Sequence, residues 1–279
     1  MRLLFLADFF SDQINGGGEN NDAVLISYLR NRGLTVDLQR TQTVTKEQID
    51  LADFLIVGNF VLLDPQIKEY ITHNATYIIY EHDHKYVKTR DPSKFQNFDV
   101  PQDQIVNAEF YKNAKEVIVL SAICKEILQK ALRIDNVHSI GSSLWSTQKL
   151  AFIKELSTTT KTKEVAVLNS NNATKGTQAA ASFCNKKGIE FELISSPDQY
   201  EFLKQLVQFK TLVFVPQVLE TFCRLVAEAK MLNCNVYTNS RLIGMMSEPY
   251  HAEQGQELIE TLEAQVTAAL EHFYQRIVE

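Results

Sequence analysis

Residues 213–240 read VFVPQVLETFCRLVAEAKMLNCNVYTNS. The apolar run Leu212–Val215 has the length of a strand and stops at Pro216, which cannot donate to a ladder. A short loop leads to Glu220, and Thr221, a residue type that caps helices, marks a helix start. Asn233 and Cys234 close that helix, and Asn235–Thr238 follows as a second strand. Strand, loop, helix and strand make one unit of an open α/β sheet. Two carboxylates frame it, Glu220 at the mouth of the loop and Glu228 two turns further in. On a helix that separation is about 12 Å, the reach of a nucleoside linked to a sugar. Read blandly, Glu220 is a solvated loop residue and Glu228 an exposed helix position.

Outward from this unit the same rhythm repeats. Leu3–Ala7 is a continuous apolar run of the kind that forms a parallel strand covered on both faces. The loop DFFSDQINGGGEN and a helix over Asn20–Arg32 follow it. Further strands are expected at Thr35–Leu38, Phe54–Val57, Thr76–Tyr80, Val117–Leu120 and Val137–Ile140. Helices are expected near Lys46–Leu51, Pro65–Thr72, Gln104–Asn113 and Ala122–Leu132. Around Gly141–Thr162 the pattern lapses into Ser, Thr and Lys and reads as a connection. A second series then runs through Val165–Leu168, a helix at Thr174–Lys187, Phe191–Ile194, a helix at Gln199–Phe209 and the unit quoted above. The long helix Gln254–Ile277 ends it. The expected fold is α/β, two Rossmann-like doubly wound domains facing a cleft, with ligands at the strands' carboxyl ends. The domains are residues 1–145, residues 163–255, and a last helix over 256–279.

Of 279 residues, 45% are hydrophobic and 22% charged, an ordinary globular profile, and the net charge of −6 gives no prior for nucleic acid. Cys124, Cys184, Cys223 and Cys234 lie far apart in apolar or helical contexts, as buried free thiols of a reducing compartment do. The apolar opening MRLLFLADFF is too short for a signal peptide, and no run approaches a membrane span. A cytoplasmic location is expected, a host's cytoplasm if the chain is phage-encoded.

Three segments besides 213–240 carry candidate chemistry. Gly16, Gly17 and Gly18 lie between a strand and a helix, where backbone N–H groups can meet an anion, although G-x-G-x-x-G is absent. In NSNNATKG (169–176), Lys175 stands at the expected start of a helix, placed to meet a diphosphate. YIIYEHDHKYVKTRDPSKF (77–95) leaves a strand and packs Glu81, His82, Asp83 and His84 together. It admits three readings: a His-x-His metal site lacking a third ligand at defined spacing, a structural polar corner, or chemistry at an acceptor. Lys85, Lys88, Arg90 and Lys94 alternate there with aromatic residues and could hold a polyanion, though a solvated loop is the default.

Glu220-x-Phe222 with Glu228 at the eighth position, followed by Ala229 and a strand, resembles the donor-site motif of the retaining GT-B glycosyltransferases, family 4 in particular. The resemblance implies that Glu220 reaches hydroxyls of the donor sugar and Glu228 the ribose hydroxyls, with Thr221 and Phe222 in the donor-binding set. It implies that Lys175 holds the donor phosphates and that Gly16–Gly18 close over the donor. It puts His82 or Asp83 near the donor sugar as the catalytic group, with His84 not separable from them. His84, Lys85 and Arg90 fall on the acceptor side. The family's last helix crosses back to the first domain, and no cofactor or metal is implied, the sugar nucleotide being a substrate. This chain departs in two places: Cys223 stands where a Gly usually follows the Phe, and Ser170, Asn171 and Asn172 replace an expected phosphate-binding Arg, for which Arg224 is a candidate substitute. The expected donor is a UDP-sugar, and the acceptor a glycan, a lipid-linked sugar or a hydroxymethylated base of phage DNA. A non-catalytic sugar-nucleotide sensor on a decayed fold is the alternative, and a different nucleotide-binding Rossmann enzyme a third.

Overall fold

The computed structural model describes residues 1–14 and 16–279. It divides into two compact units, one of Met1–Trp145 with Val266–Glu279 and one of Ser146–Gln265.

In unit 1, β1 (Arg2–Ala7), β2 (Thr35–Arg40), β3 (Phe54–Val57), β4 (Tyr77–Tyr80), β5 (Glu116–Val119) and β6 (Val137–Ser139) form a parallel sheet ordered β2-β1-β3-β4-β5-β6. β1 lies inside the sheet next to the edge strand β2, with Leu4 opposite Asp37 on one side and Leu55 on the other. Its residues Leu3–Ala7 are buried, as are all four of β3 and of β4, because helices cover both faces. Those helices are α1 (Gly17–Asn31), α2 (Lys46–Asp50), α3 (Pro65–Asn74), α4 (Ala108–Lys112) and α5 (Ala122–Leu132). Local chemistry starts α2 and α3 where the sequence says: Thr45 and Gln48 close a capping box on α2, and Asp64 caps α3 with Pro65 at its first position.

Unit 2 holds α6 (Thr147–Leu156), β7 (Lys163–Leu168), α7 (Thr177–Lys187), β8 (Glu192–Ile194), α8 (Gln199–Leu206), β9 (Phe209–Phe214), α9 (Arg224–Met231) and β10 (Asn235–Thr238). Its parallel sheet is ordered β10-β9-β7-β8, with Val167, Val213, Ala180 and Cys184 at the core. The last helix, α10 (Gly255–Val278), enters unit 1 from Val266 onward; there Phe273 packs edge-on against Tyr80 at 4.8 Å between ring centroids. Among the described residues no helix is long and apolar enough to cross a membrane.

Several boundaries differ from expectation, each for a local reason. The first helix begins at Gly17, not Asn20, so two of the three glycines lie inside it. The helix expected over Gln104–Asn113 is only α4, because Asn107 is left-handed (φ 58°) and separates it from a 3-10 turn at Gln102–Gln104. Part of the expected linker is α6, which Ser146 caps by accepting from the Lys149 N–H and which buries Leu150 and Ile153. Finally, α9 starts at Arg224, with Cys223 rather than Thr221 as its first flanking residue.

Candidate functional site

Open α/β sheets bind ligands where strand order reverses. In unit 2 this lies between β7 and β9, in unit 1 between β1 and β3. The candidate residues gather at both places.

In unit 2 the loop after β7 is a 3-10 turn, Ala173–Lys175, ended by Gly176 in the left-handed conformation (φ 66°). Lys175 therefore precedes the helix instead of opening it. Only glycine fits next to it, since a Cβ on Gly176 would lie 1.8 Å from the Val215 carbonyl oxygen just past β9. The Gln217 N–H donates to Thr174 O at 2.8 Å, lacing the two loops together. This close approach carries the Lys175 ammonium to both carboxylate oxygens of Glu220, at 2.8 and 3.0 Å. Burial alone would lower the lysine's pKa, but the Glu220 charge outweighs it and the pKa is raised. The pair is accessible, its side chains 36% and 13% exposed. Beside it, a cavity of about 580 Å³ is lined by Ser170–Ala173, Gly176, the first turn of α7 and Gln217. The N–H groups of that turn, Thr177–Ala179, are the ones expected to meet an anion.

The Glu220 segment is held from the other side. Glu220 N–H donates to Leu242 O, Gly244 N–H to Glu220 O and Met245 N–H to Phe222 O, at 2.9–3.0 Å. The Phe222 ring is buried in the core beneath the loop, and Thr221 is half-buried beside it. Cys223, at φ 78°, occupies the backbone region that favours glycine, which explains why a Gly would suit this position. Burial pushes its thiol pKa far up. Glu228 is not exposed: it is buried, with its Oε1 3.4 Å from Lys149 Nζ and 3.6 Å from an Arg224 guanidinium nitrogen. Arg224, the candidate substitute for the missing Arg, is thus engaged with Glu228. Lys149, on the helix that reads as linker, escaped the sequence analysis; its signal was the Ser146 cap ahead of Leu150 and Ile153.

In unit 1 the first turn of α1 meets the segment that leaves β4. His82 Nε2 lies 2.8 Å from Asp22 Oδ1, with side-chain exposures of 8% and 2%. Two glycines make room for this dyad. A Cβ on Gly18 would lie 3.2 Å from the His82 ring, and one on Gly58, just past β3, 2.9 Å from Asp22 Oδ2. Gly16 flanks α1 with φ −107°, and Gly17 is its first residue. Glu19 stands in the same turn, its pKa raised by burial. Neither Asp22 nor Glu19 was anticipated. Asp22 could have been found, because it continues the buried Ile26–Leu29 stripe one turn towards the N-terminus, where a carboxylate needs a partner.

The other polar residues of this segment go elsewhere. Asp83 accepts from Lys85 at 2.9 Å and from Arg90 at 3.0 Å, and its pKa is lowered: burial opposes ionisation, and the two cations overcome it. His84 is buried at φ 60°, with Nδ1 3.3 Å from the Tyr86 hydroxyl. Since His82 and His84 turn to different partners, they do not form a shared metal site. Lys85, expected on the acceptor side, is buried against Glu81 at 2.7 Å, and Glu81 also accepts from the Tyr111 hydroxyl. Arg90 stays half-exposed.

No protein-family model matches the chain, and neither does any curated protein. Solved structures do. A glycosyltransferase from Rickettsia africae superposes with a TM-score of 0.55 at 14% identity, covering 100% of this chain and 98% of that one. HepE of Anabaena, in complex with UDP and glucose, gives 0.54 at 11% identity, covering 98% and 100%. An alpha-glucosyltransferase bound to UDP and a 13-mer DNA containing an HMU base gives 0.52 at 9% identity, covering 99% and 95%. At such identities the likeness is one of fold. The chain has the two-sheet α/β architecture of these glycosyltransferases, the GT-B fold.

Proposed function

We propose that this protein is a glycosyltransferase that takes a sugar, hexosyl or pentosyl, from a UDP-sugar and transfers it to a hydroxyl acceptor with retention. The observation that carries the reading is the accessible Lys175–Glu220 pair at the reversal point of unit 2, beside the cavity over the first turn of α7. A donor diphosphate would draw Lys175 away from Glu220 and add the N–H groups of that turn. The leaving group is then stabilised by fixed cations and dipoles, with no metal required at the diphosphate. Glu220, released, orients the sugar hydroxyls, and Glu228, steadied by Lys149 and Arg224, takes the ribose. Gly16–Gly18 belong to the donor side, with Gly18 held against His82.

In unit 1 we assign the acceptor hydroxyl's proton to His82 in preference to Asp83 or His84. Asp22 stabilises the imidazolium that such a transfer forms, whereas Asp83 is neutralised by two cations and His84 is sealed against Tyr86. A glycan or lipid-linked sugar is the favoured acceptor, because burial of Lys85 and Tyr86 removes much of the basic and aromatic interleaving that would suit DNA. A hydroxymethylated DNA base is the second reading, resting on the exposed Lys88, Arg90 and Lys94. Buried free thiols agree with a cytoplasmic location.

The test is thermal shift against UDP-, GDP-, ADP- and CMP-sugars, followed by transfer and donor-hydrolysis assays. A UDP-sugar should raise the melting temperature, and Lys175→Ala and Glu228→Gln should each weaken that shift. No shift with any nucleotide at millimolar concentration would sink the reading. Binding without transfer or hydrolysis would replace it with a sensor.

A further inference from the structure

A second polar cluster lies on one face of the unit 1 sheet, where the C-terminal part of α10 meets β5 and β6, apart from the His82–Asp22 dyad. Glu116 is the first residue of β5, His138 lies on the adjacent β6, and His272 projects from the part of α10 that belongs to unit 1. His272 Nε2 is 2.7 Å from Glu116 Oε2, and the two imidazoles stack with centroids 3.7 Å apart and planes 11° from parallel. One ligand atom from each residue lies within 4.8 Å of the other two. All three residues are half-buried, held by the backbone of two paired strands and a helix, yet open to solvent.

We propose that Glu116, His138 and His272 form a binding site for a divalent metal ion of the zinc type. Two imidazoles and one carboxylate are the donor set such borderline ions take, at about 2.0–2.2 Å from the metal. A tetrahedral ion with those bonds holds its ligands ~3.3 Å apart, so closing the site needs rotations of side chains and no movement of the sheet. A neutral imidazole keeps the lone pair of one ring nitrogen, so each histidine can supply one donor atom to an ion. Arg276, whose Nε lies 3.5 Å from Glu116 Oε2, would give way towards Glu279, which it already meets at 3.1 Å. An ion here joins three positions remote in sequence and clamps the final helix to the sheet, so binding adds to the stability of the fold.

The inference is independent of the sugar-transfer reading, because no donor or acceptor enters its test. The full chain, stripped with EDTA, is titrated with zinc chloride by calorimetry and its melting temperature followed. One zinc per chain and a higher melting temperature are expected. Affinity should fall about tenfold or more in His138→Phe, which keeps the stacked ring, and in Glu116→Gln, which keeps the size of the side chain. As a measurement that needs no variant, zinc should shift the ring-nitrogen NMR signals of His138 and His272 and leave those of His73, His82, His84 and His251 in place. Absence of binding at micromolar zinc, parent-like binding by both variants, or perturbation of the other histidines instead would each overturn the site.

Discussion

Each unit contains a lysine paired with a glutamate at nearly the same distance, and the two pairs have opposite characters. Lys85 meets Glu81 at 2.7 Å with both side chains 2% exposed, while Lys175 meets Glu220 at 2.8 Å with the lysine 36% exposed. The buried pair is closed in on every side: Asp83 takes a second bond from Lys85, and the Tyr111 hydroxyl and the Asp83 N–H donate to Glu81. Burial alone would raise the Glu81 pKa, but the charge of Lys85 outweighs it and holds it below the ordinary value. Nothing that complete has capacity left for a ligand. The accessible pair, with solvent on one side and a cavity beside it, can exchange one partner for another. Distance defines an ion pair; burial decides whether it serves the fold or a ligand.

The largest effect should therefore come from the lysine that sequence reading placed on the acceptor. Lys85→Met strands Glu81 in the core and should cost about 3–5 kcal/mol in urea unfolding. Lys175→Met leaves Glu220 with access to solvent and should cost about 1–2 kcal/mol, well short of Lys85→Met, yet lose about tenfold or more in UDP-sugar affinity, as the loss of a charged hydrogen bond implies. Equal destabilisation by the two substitutions would break the comparison.

Two glycines sharpen it at intermediate size. Gly176 and Gly188 both have φ 66°, but a Cβ at Gly188 has no neighbour within 4 Å while one at Gly176 strikes the Val215 carbonyl. Gly188→Ala should cost about 1–2 kcal/mol from backbone strain alone. Gly176→Ala adds overpacking of about 1–3 kcal/mol and, by separating the two loops, should abolish donor binding. Were Gly176→Ala to bind donor normally, the close approach of those loops would not be what sets the Lys175–Glu220 geometry.

What was legible in the chain follows the same division. Strands were readable where a parallel strand covered on both faces is a nearly unbroken apolar run, as at Phe54–Val57 and Tyr77–Tyr80, while the half-exposed edge strand Asn235–Thr238 was placed by its turn signals. Glu220 and Glu228 were readable because they sit eight positions apart in one loop and helix. Asp22 and His82 are sixty positions apart and meet only because Gly18 and Gly58 leave space. No local pattern encodes such a meeting. Helix starts failed where a single left-handed residue intervenes, at Asn107, Gly176 and Cys223, since conformation there depends on what the loop packs against.

Cys223 supplies the smallest expected effect. Held at φ 78°, its backbone carries strain of about 1–3 kcal/mol that glycine would relieve. Against this, glycine frees the unfolded chain by about 0.4–1 kcal/mol and gives up the packing of a thiol that is 7% exposed. These terms nearly cancel, so Cys223→Gly should change stability by less than about 1 kcal/mol, measured by urea unfolding. Donor affinity should be unchanged, because what the bend supplies to Glu220 is its direction and glycine keeps that direction more easily. If Cys223→Gly instead lost donor binding while its stability held, the thiol itself would be a contact of the nucleotide sugar. The accessible Lys175–Glu220 pair would then share its ligand with a group whose burial had made it look structural.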